Sequence, residues 1–325
     1  MDEQQKDQAS GSAPQSHWER ETLERLAFAA IQEQKLQRRW GIFFKSVFVV
    51  LIAFGFYHFG GMFQNEAENT LPHTALVDID GEIDSEGSGS AAAVIPALDR
   101  AFAESGSVAV ILRINSPGGS PVQAGMINDE IVRLRGQYPD KKLYVVVDEM
   151  CASGGYYIAA AADKIFVNKA SIVGSIGVLM DGFGFTGLMN KVGVERRLMT
   201  AGENKGLMDP YSPVTEKQKA YSQAMLNEIH QQFIDVVRKG RGQRLKETPE
   251  TFSGLFWVGS KAVEMGLADG FGTVDTVARD VIKAEDIVDY TQKEDLPERV
   301  LKKFGASIGS AATATLIKSN KLTLH

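Results

Sequence analysis

The sequence predicts an α/β fold, a mainly parallel sheet with flanking helices preceded by one N-terminal transmembrane helix, and three observations carry that prediction. Short apolar strands alternate with helical patterns from residue 74 to about residue 289. Several of those strands are apolar throughout, as strands covered on both faces are. Residues 40–63, WGIFFKSVFVVLIAFGFYHFGGMF, carry one full charge, Lys45. The composition fits: 325 residues, 44% hydrophobic and 23% charged, make one large domain or two small ones with a core to bury. Thirty-two glycines without a period and one cysteine exclude collagen-like and disulfide-stapled chains. A net charge of −6 leaves no basic footprint, so nucleic acid is not an expected partner.

Residues 1–39 read as a cytoplasmic tail. The first 16 are polar and small with nothing to bury. Trp18, Leu23, Leu26, Phe28, Ile31 and Leu36 then give residues 18–37 an amphipathic helical pattern. In the anchor, residues 40–63, the run from Ser46 to Phe63 rises about 27 Å as a helix, close to the hydrocarbon thickness of roughly 30 Å. A cleaved signal peptide does not fit, because some 40 residues precede the run and no A-x-A site follows it. A buried core helix fits less well than a span, since Trp40 and Tyr57 mark the two ends as interfacial aromatics do. Lys35, Arg38, Arg39 and Lys45 lie before the run that starts at Ser46, and Glu66, Glu68, Asp78, Asp80 and Glu82 after it. The positive-inside rule then predicts a single-pass protein with its N-terminus in the cytoplasm. In a bacterium this is the inner membrane, with the domain after the span in the periplasm.

Residues 64–73 are read as a linker, 74–289 as the folded domain and 290–325 as a lysine-rich C-terminal tail. Strands are expected at 74–80, 108–115, 142–148, 164–168, 174–180 and 194–199. Helices are expected near 91–104, 122–135, 155–162, 185–192, 215–239 and 260–265.

Two turns carry chemistry. Ile114-Asn115-Ser116-Pro117-Gly118-Gly119 ends one apolar strand, and Cys151-Ala152-Ser153-Gly154-Gly155-Tyr156-Tyr157 ends another. Glycine lets backbone N–H groups approach a ligand with no Cβ in the way. In a parallel sheet with right-handed crossovers, loops at the carboxyl ends of neighbouring strands share one edge, so the two turns should face each other. Ser153 then sits at a helix N-terminus as a candidate nucleophile, with the N–H groups of Gly154 and Gly119 as a candidate oxyanion hole. A serine ahead of a helix is also an ordinary cap, and strand–glycine–helix turns also serve packing alone.

A nucleophilic serine needs a base. His17, His58, His73 and His325 lie in the tails, the apolar run or just beyond it, and His230 lies midway along a helix, which disfavours a serine–histidine pair. Lysine is the next base, because burial can make it neutral. Lys205 stands out by its loop, AGENKGLMDPYSPVT, although most lysines are only solubilising. No histidine cluster or paired cysteine spacing calls for a metal, and no cofactor is expected.

NSPGG, then ASGGYYIA, then GSIGV, then a lysine 52 residues after the serine, resemble the short-form signal peptide peptidase A proteins of the S49 serine peptidase family. The single-span SohB-type proteases of that family are similar too. The resemblance covers about residues 74–285 and implies a ClpP/crotonase-like fold. It implies Ser153 as nucleophile and Lys205 as general base. Gly119 and Gly154 match oxyanion donors, Ser175 matches a serine that holds the lysine amine, and GLADGFG at 266–272 matches a pattern of structural role. It further implies a membrane-anchored serine endopeptidase that degrades remnant signal peptides and similar apolar peptides. The family pattern is a homo-octameric ring in which the serine of one copy meets the lysine of its neighbour. Cys151 departs from that pattern. Three rivals stand beside this reading: a crotonase-type acyl-CoA enzyme using the same paired amides, a non-enzymatic membrane scaffold, and Cys151 as the nucleophile.

Overall fold

The computed structural model describes residues 17–59 and 71–292. The chain divides into two compact units, 1–67 and 68–325. In the first, helix α1 (His17–Phe59) joins the expected amphipathic helix and the start of the apolar run without a break. From Trp40 to Phe54 its large apolar side chains are exposed, consecutively so from Val47 to Ile52. Among the described residues no helix is long and apolar enough to cross a membrane. Residues 60–63 of the expected span, most of the 64–73 linker and the tail beyond 292 lie outside the described residues.

The second unit is built on an eight-stranded sheet. Strand β1 (His73–Asp80) runs parallel to β2 (Ser107–Ser116), and β2 is parallel to β3 (Leu143–Ala152). β3 pairs in parallel with β4 (Lys164–Val167) through its first half and with β5 (Ile172–Gly174) through its last residues. β6 (Phe256–Val258) closes one edge antiparallel to β5. β7 (Gly270–Phe271) pairs in parallel with β4, and β8 (Ile287–Asp289) closes the far edge in parallel with β1.

Alternation along the strands sorts side chains to two faces. Val77, Ile79, Leu112, Ile114, Val145 and Val147 are buried in the main core. There they meet helices α2 (Ala91–Ala103) and α3 (Pro121–Gln137) through Leu98, Phe102, Ile127 and Ile131. Leu76, Ile111, Val146 and Phe166 point the other way, onto Val277 and Ala278 of a π-helical stretch, Val277–Ile282. Each such aliphatic chain contributes about 1.5–3 kcal/mol on burial. α2 and α3 start at serine caps: Ser90 Oγ accepts from Ala93 N at 3.3 Å and Ser120 Oγ from Gln123 N at 3.4 Å.

The expected strand at 174–180 is corrected. Positive φ at Gly174 (114°) and Ser175 (52°) turns the chain out of the sheet, so β5 ends where that strand was to begin. The strand expected at 194–199 is absent: those residues are irregular and exposed, following the short helix α5 (Thr186–Val192). The long helix α6 (Glu216–Arg241) begins with a full capping box at Thr215 and Gln218, and α7 (Gly259–Glu264) follows β6.

Candidate active site

β3 ends at Ala152, and helix α4 (Gly154–Ala159) begins two residues later. Ser153 makes the turn with φ 50° and ψ −122°, a conformation that costs a residue with a Cβ about 1–3 kcal/mol. Two hydrogen bonds fix it: Ser153 N donates to Gly174 O at 2.9 Å, and Tyr157 N donates to Ser153 O at 3.0 Å. Its side chain makes no capping bond to α4, so the ordinary cap does not account for this serine.

The first glycine turn packs directly against it. A Cβ on Gly118 (φ 106°) would lie 2.6 Å from the Ser153 Cβ and 2.8 Å from Gly154 N. Gly119 (φ 147°) sits beside Ile83 in a parallel bridge whose bonds are Ile83 N to Gly118 O and Ser120 N to Ile83 O. Its own N–H therefore points away from Ile83. A Cβ on Gly154 would be 3.4 Å from Gly119 N, so the two turns face each other as the topology requires. Among the described residues neither the Gly119 nor the Gly154 N–H has an acceptor. Two amides without an acceptor on the turns that pack around Ser153 are of the kind that can hold a tetrahedral oxyanion.

Ser175 follows the Gly174 carbonyl that holds Ser153. Its N–H donates to Leu255 O at 2.8 Å, and the Trp257 ring fills the space where a Gly174 side chain would stand, 2.8 Å from that Cβ position. His230 on α6 lies within hydrogen-bond distance of the next carbonyl, Ile176 O, at 3.2 Å, so Nε2 is the donor. The histidine set aside as a base thus tethers the Ser175 loop. Lys205 lies in a series of turns over 201–208, not after a strand as the sequence suggested. It is exposed, and within one chain its amine has no hydrogen bond or ion pair with Ser153, Ser175 or another described residue. One chain therefore gathers Ser153, Gly119, Gly154 and the Ser175 backbone, with no hydrogen bond from the Lys205 amine to any of them.

Cys151, two residues before Ser153, is buried in the main core, and that burial pushes its thiol far above the usual range. A thiol held in its neutral form is a poor nucleophile. Asn128, Tyr156 and Trp257 give no signal of a place near the site in the sequence, since each meets a partner distant in the chain. Among the described residues no group of histidine, cysteine and carboxylate side chains is arranged to hold a metal ion.

Residues 137–287, from just before β3 to the start of β8, match the sequence model of Peptidase family S49. Similar proteins include the Na(+)/H(+) antiporter NhaA of Brucella melitensis, 47% identical over 175 residues, 54% of this chain and 24% of that one. A putative signal peptide peptidase SppA of Enterococcus faecium is 32% identical over 182 residues, 56% of this chain and 52% of that one. The putative protease slr0021 of Synechocystis is 31% identical over 207 residues, 63% of this chain and 72% of that one. The chain thus spans about a quarter of the antiporter's length and about half of the Enterococcus protein's. With the glycine turns, the strained serine and this similarity in agreement, the chain belongs to peptidase family S49.

Proposed function

We propose that this chain is a membrane-anchored serine endopeptidase of ClpP/crotonase-like fold, using a Ser153–Lys205 dyad on remnant signal peptides and similar apolar peptides. The observation that carries the reading is the strained Ser153 backbone beside two amides with no acceptor. Lys205 Nζ, in its neutral form, takes the proton from Ser153 Oγ as that oxygen attacks a peptide carbonyl. The oxyanion is held by the N–H groups of Gly119 and Gly154. Collapse breaks the C–N bond, Lys205 returns its proton to the leaving amine, and water releases the acyl group by the same sequence. The residues named need no cofactor for this.

The exposed position of Lys205 in its own chain supports active sites shared between neighbouring copies of a homo-octameric ring. Leu179, Phe183 and Met199, exposed by 83%, 78% and 93%, lie on the same segment that leads to Lys205 and offer apolar surface to such a neighbour. The exposed apolar side chains of α1 and the preceding Lys35, Arg38 and Arg39 support a single-pass anchor at residues 40–63 in membrane lipid. This orientation makes the N-terminus cytoplasmic and the peptidase domain periplasmic at a bacterial inner membrane.

Turnover of a fluorogenic apolar peptide by the full chain tests the dyad. Ser153→Ala and Lys205→Ala each lose about 10³-fold or more in kcat, as removal of a nucleophile or its base does. A Lys205→Ala variant with full turnover overturns the dyad, and thioester turnover without peptidase activity favours the acyl-CoA chemistry.

A further inference from the structure

α4 has six residues, too few to hold itself as a helix, so its position is set from outside. Each of its two central residues makes one hydrogen bond to an element beyond the turn and helix themselves. Tyr156, fully buried, donates its hydroxyl to Leu267 O at 2.8 Å, within the GLADGFG segment. Asn128 on α3, 5% exposed, donates its amide to Tyr157 O at 2.7 Å. The Tyr157 ring packs on Phe233 of α6 with centroids 5.1 Å apart. Tyr157 N is the donor that holds Ser153 O.

Backbone strain of the kind seen at Ser153 persists only where the surroundings over-determine it. If α4 shifts, Ser153 O loses its donor, the residue relaxes to an ordinary φ, and its oxygen and the Gly154 N–H leave their common target. We infer that Tyr156 and Asn128 are positioning residues, a clamp from two helices and the GLADGFG segment that keeps the Ser153 turn in its reactive conformation. They touch no reacting atom and act through Tyr157 N and the strained turn. This rests on Ser153 as the nucleophile.

The test compares Tyr156→Phe, which removes one oxygen, and Asn128→Leu, which removes the amide at nearly equal shape, with the full parent chain. Ser90→Ala, which loses a helix cap on α2, serves as a stability control, and Ser153→Ala as a check on the nucleophile. The readouts are kcat and KM on the fluorogenic peptide, the melting temperature, and the rate at which a phosphonate probe labels the active-site serine. Misplacement of a reacting group by about 1 Å costs up to about 10²-fold. Both clamp variants are therefore expected to lose about tenfold or more in kcat and in labelling rate, with KM within about twofold. Ser90→Ala keeps the parent kcat despite a lower melting temperature. If kcat and labelling in both clamp variants match Ser90→Ala while Ser153→Ala is inactive, the clamp is refuted and the nucleophile stands. If Ser153→Ala keeps its turnover, the nucleophile itself is refuted. Should Tyr156→Phe not fold, Asn128→Leu decides alone; if neither folds, the pair serves the fold and the inference is overturned.

Discussion

At the scale of single residues the site depends on where a Cβ is absent and where one is tolerated under strain. A Cβ on Gly119 would stand 2.2 Å from Ile83 O, a backbone atom that cannot step aside, and φ 147° is itself unfavourable for other residues. Gly119→Ala is expected to cost about 1–3 kcal/mol in denaturant unfolding and to abolish most turnover, since the displaced amide is a proposed oxyanion donor. Cys151 supplies the opposite prediction. As a buried thiol kept neutral by its surroundings, it is replaceable: Cys151→Ala should keep kcat within about twofold while losing some stability to the cavity. Loss of covalent labelling in that variant would reinstate the cysteine.

At the scale of elements, α6 and the GLADGFG segment support helix α4, next to Ser153. Gly240 of α6 lies so close to the chain leaving α4 that its Cβ would be 1.9 Å from Ala160 O. Glycine to alanine within a helix ordinarily gains about 0.5–1 kcal/mol. Here the clash outweighs that gain, and Gly240→Ala should lower the melting temperature. Arg241, fully buried, donates from Nη1 to Asp269 Oδ2 at 2.9 Å and from Nε to Gly266 O at 2.9 Å. Burial alone would raise the Asp269 carboxyl, but the Arg241 hydrogen bond and charge, the Ile165 N–H and Arg244 together hold it below its ordinary value. A carboxylate lowered in the folded state contributes stability that is complete above the unfolded value of about 3.9 and is lost as pH falls through the folded one. Acid titration of stability should therefore be shallower in Asp269→Asn below about pH 4.

The elements also show what the sequence makes legible. β1, β2 and β3 bury side chains on both faces and announce themselves by apolar runs such as ALV, VAVIL and LYVVV. β6, β7 and β8 are two or three residues long, below the length at which any period is visible. The run 174–180 looks like a strand because nothing in it except Gly174 signals the positive φ at Ser175. In the site, paired glycines after apolar strands make both turns readable. Tyr156 and Asn128 are silent because their partners lie 111 and 29 residues away in the chain.

At the scale of the whole molecule, the proposed chemistry is divided between copies: a preformed serine turn in one and an exposed lysine from another. Mixing inactive Ser153→Ala and Lys205→Ala chains before assembly should restore part of the turnover if sites are shared, since some interfaces then pair an intact serine with an intact lysine. No recovery at any ratio would place both groups in one chain. The mass of the assembled full chain tests the ring itself, with eight copies expected. The most direct test of the central claim is to react the full chain with a serine-directed phosphonate and map the adduct by peptide mass spectrometry. The account predicts one adduct on Ser153, formed far more slowly in Lys205→Ala. An adduct elsewhere, or a labelling rate indifferent to Lys205, would contradict it.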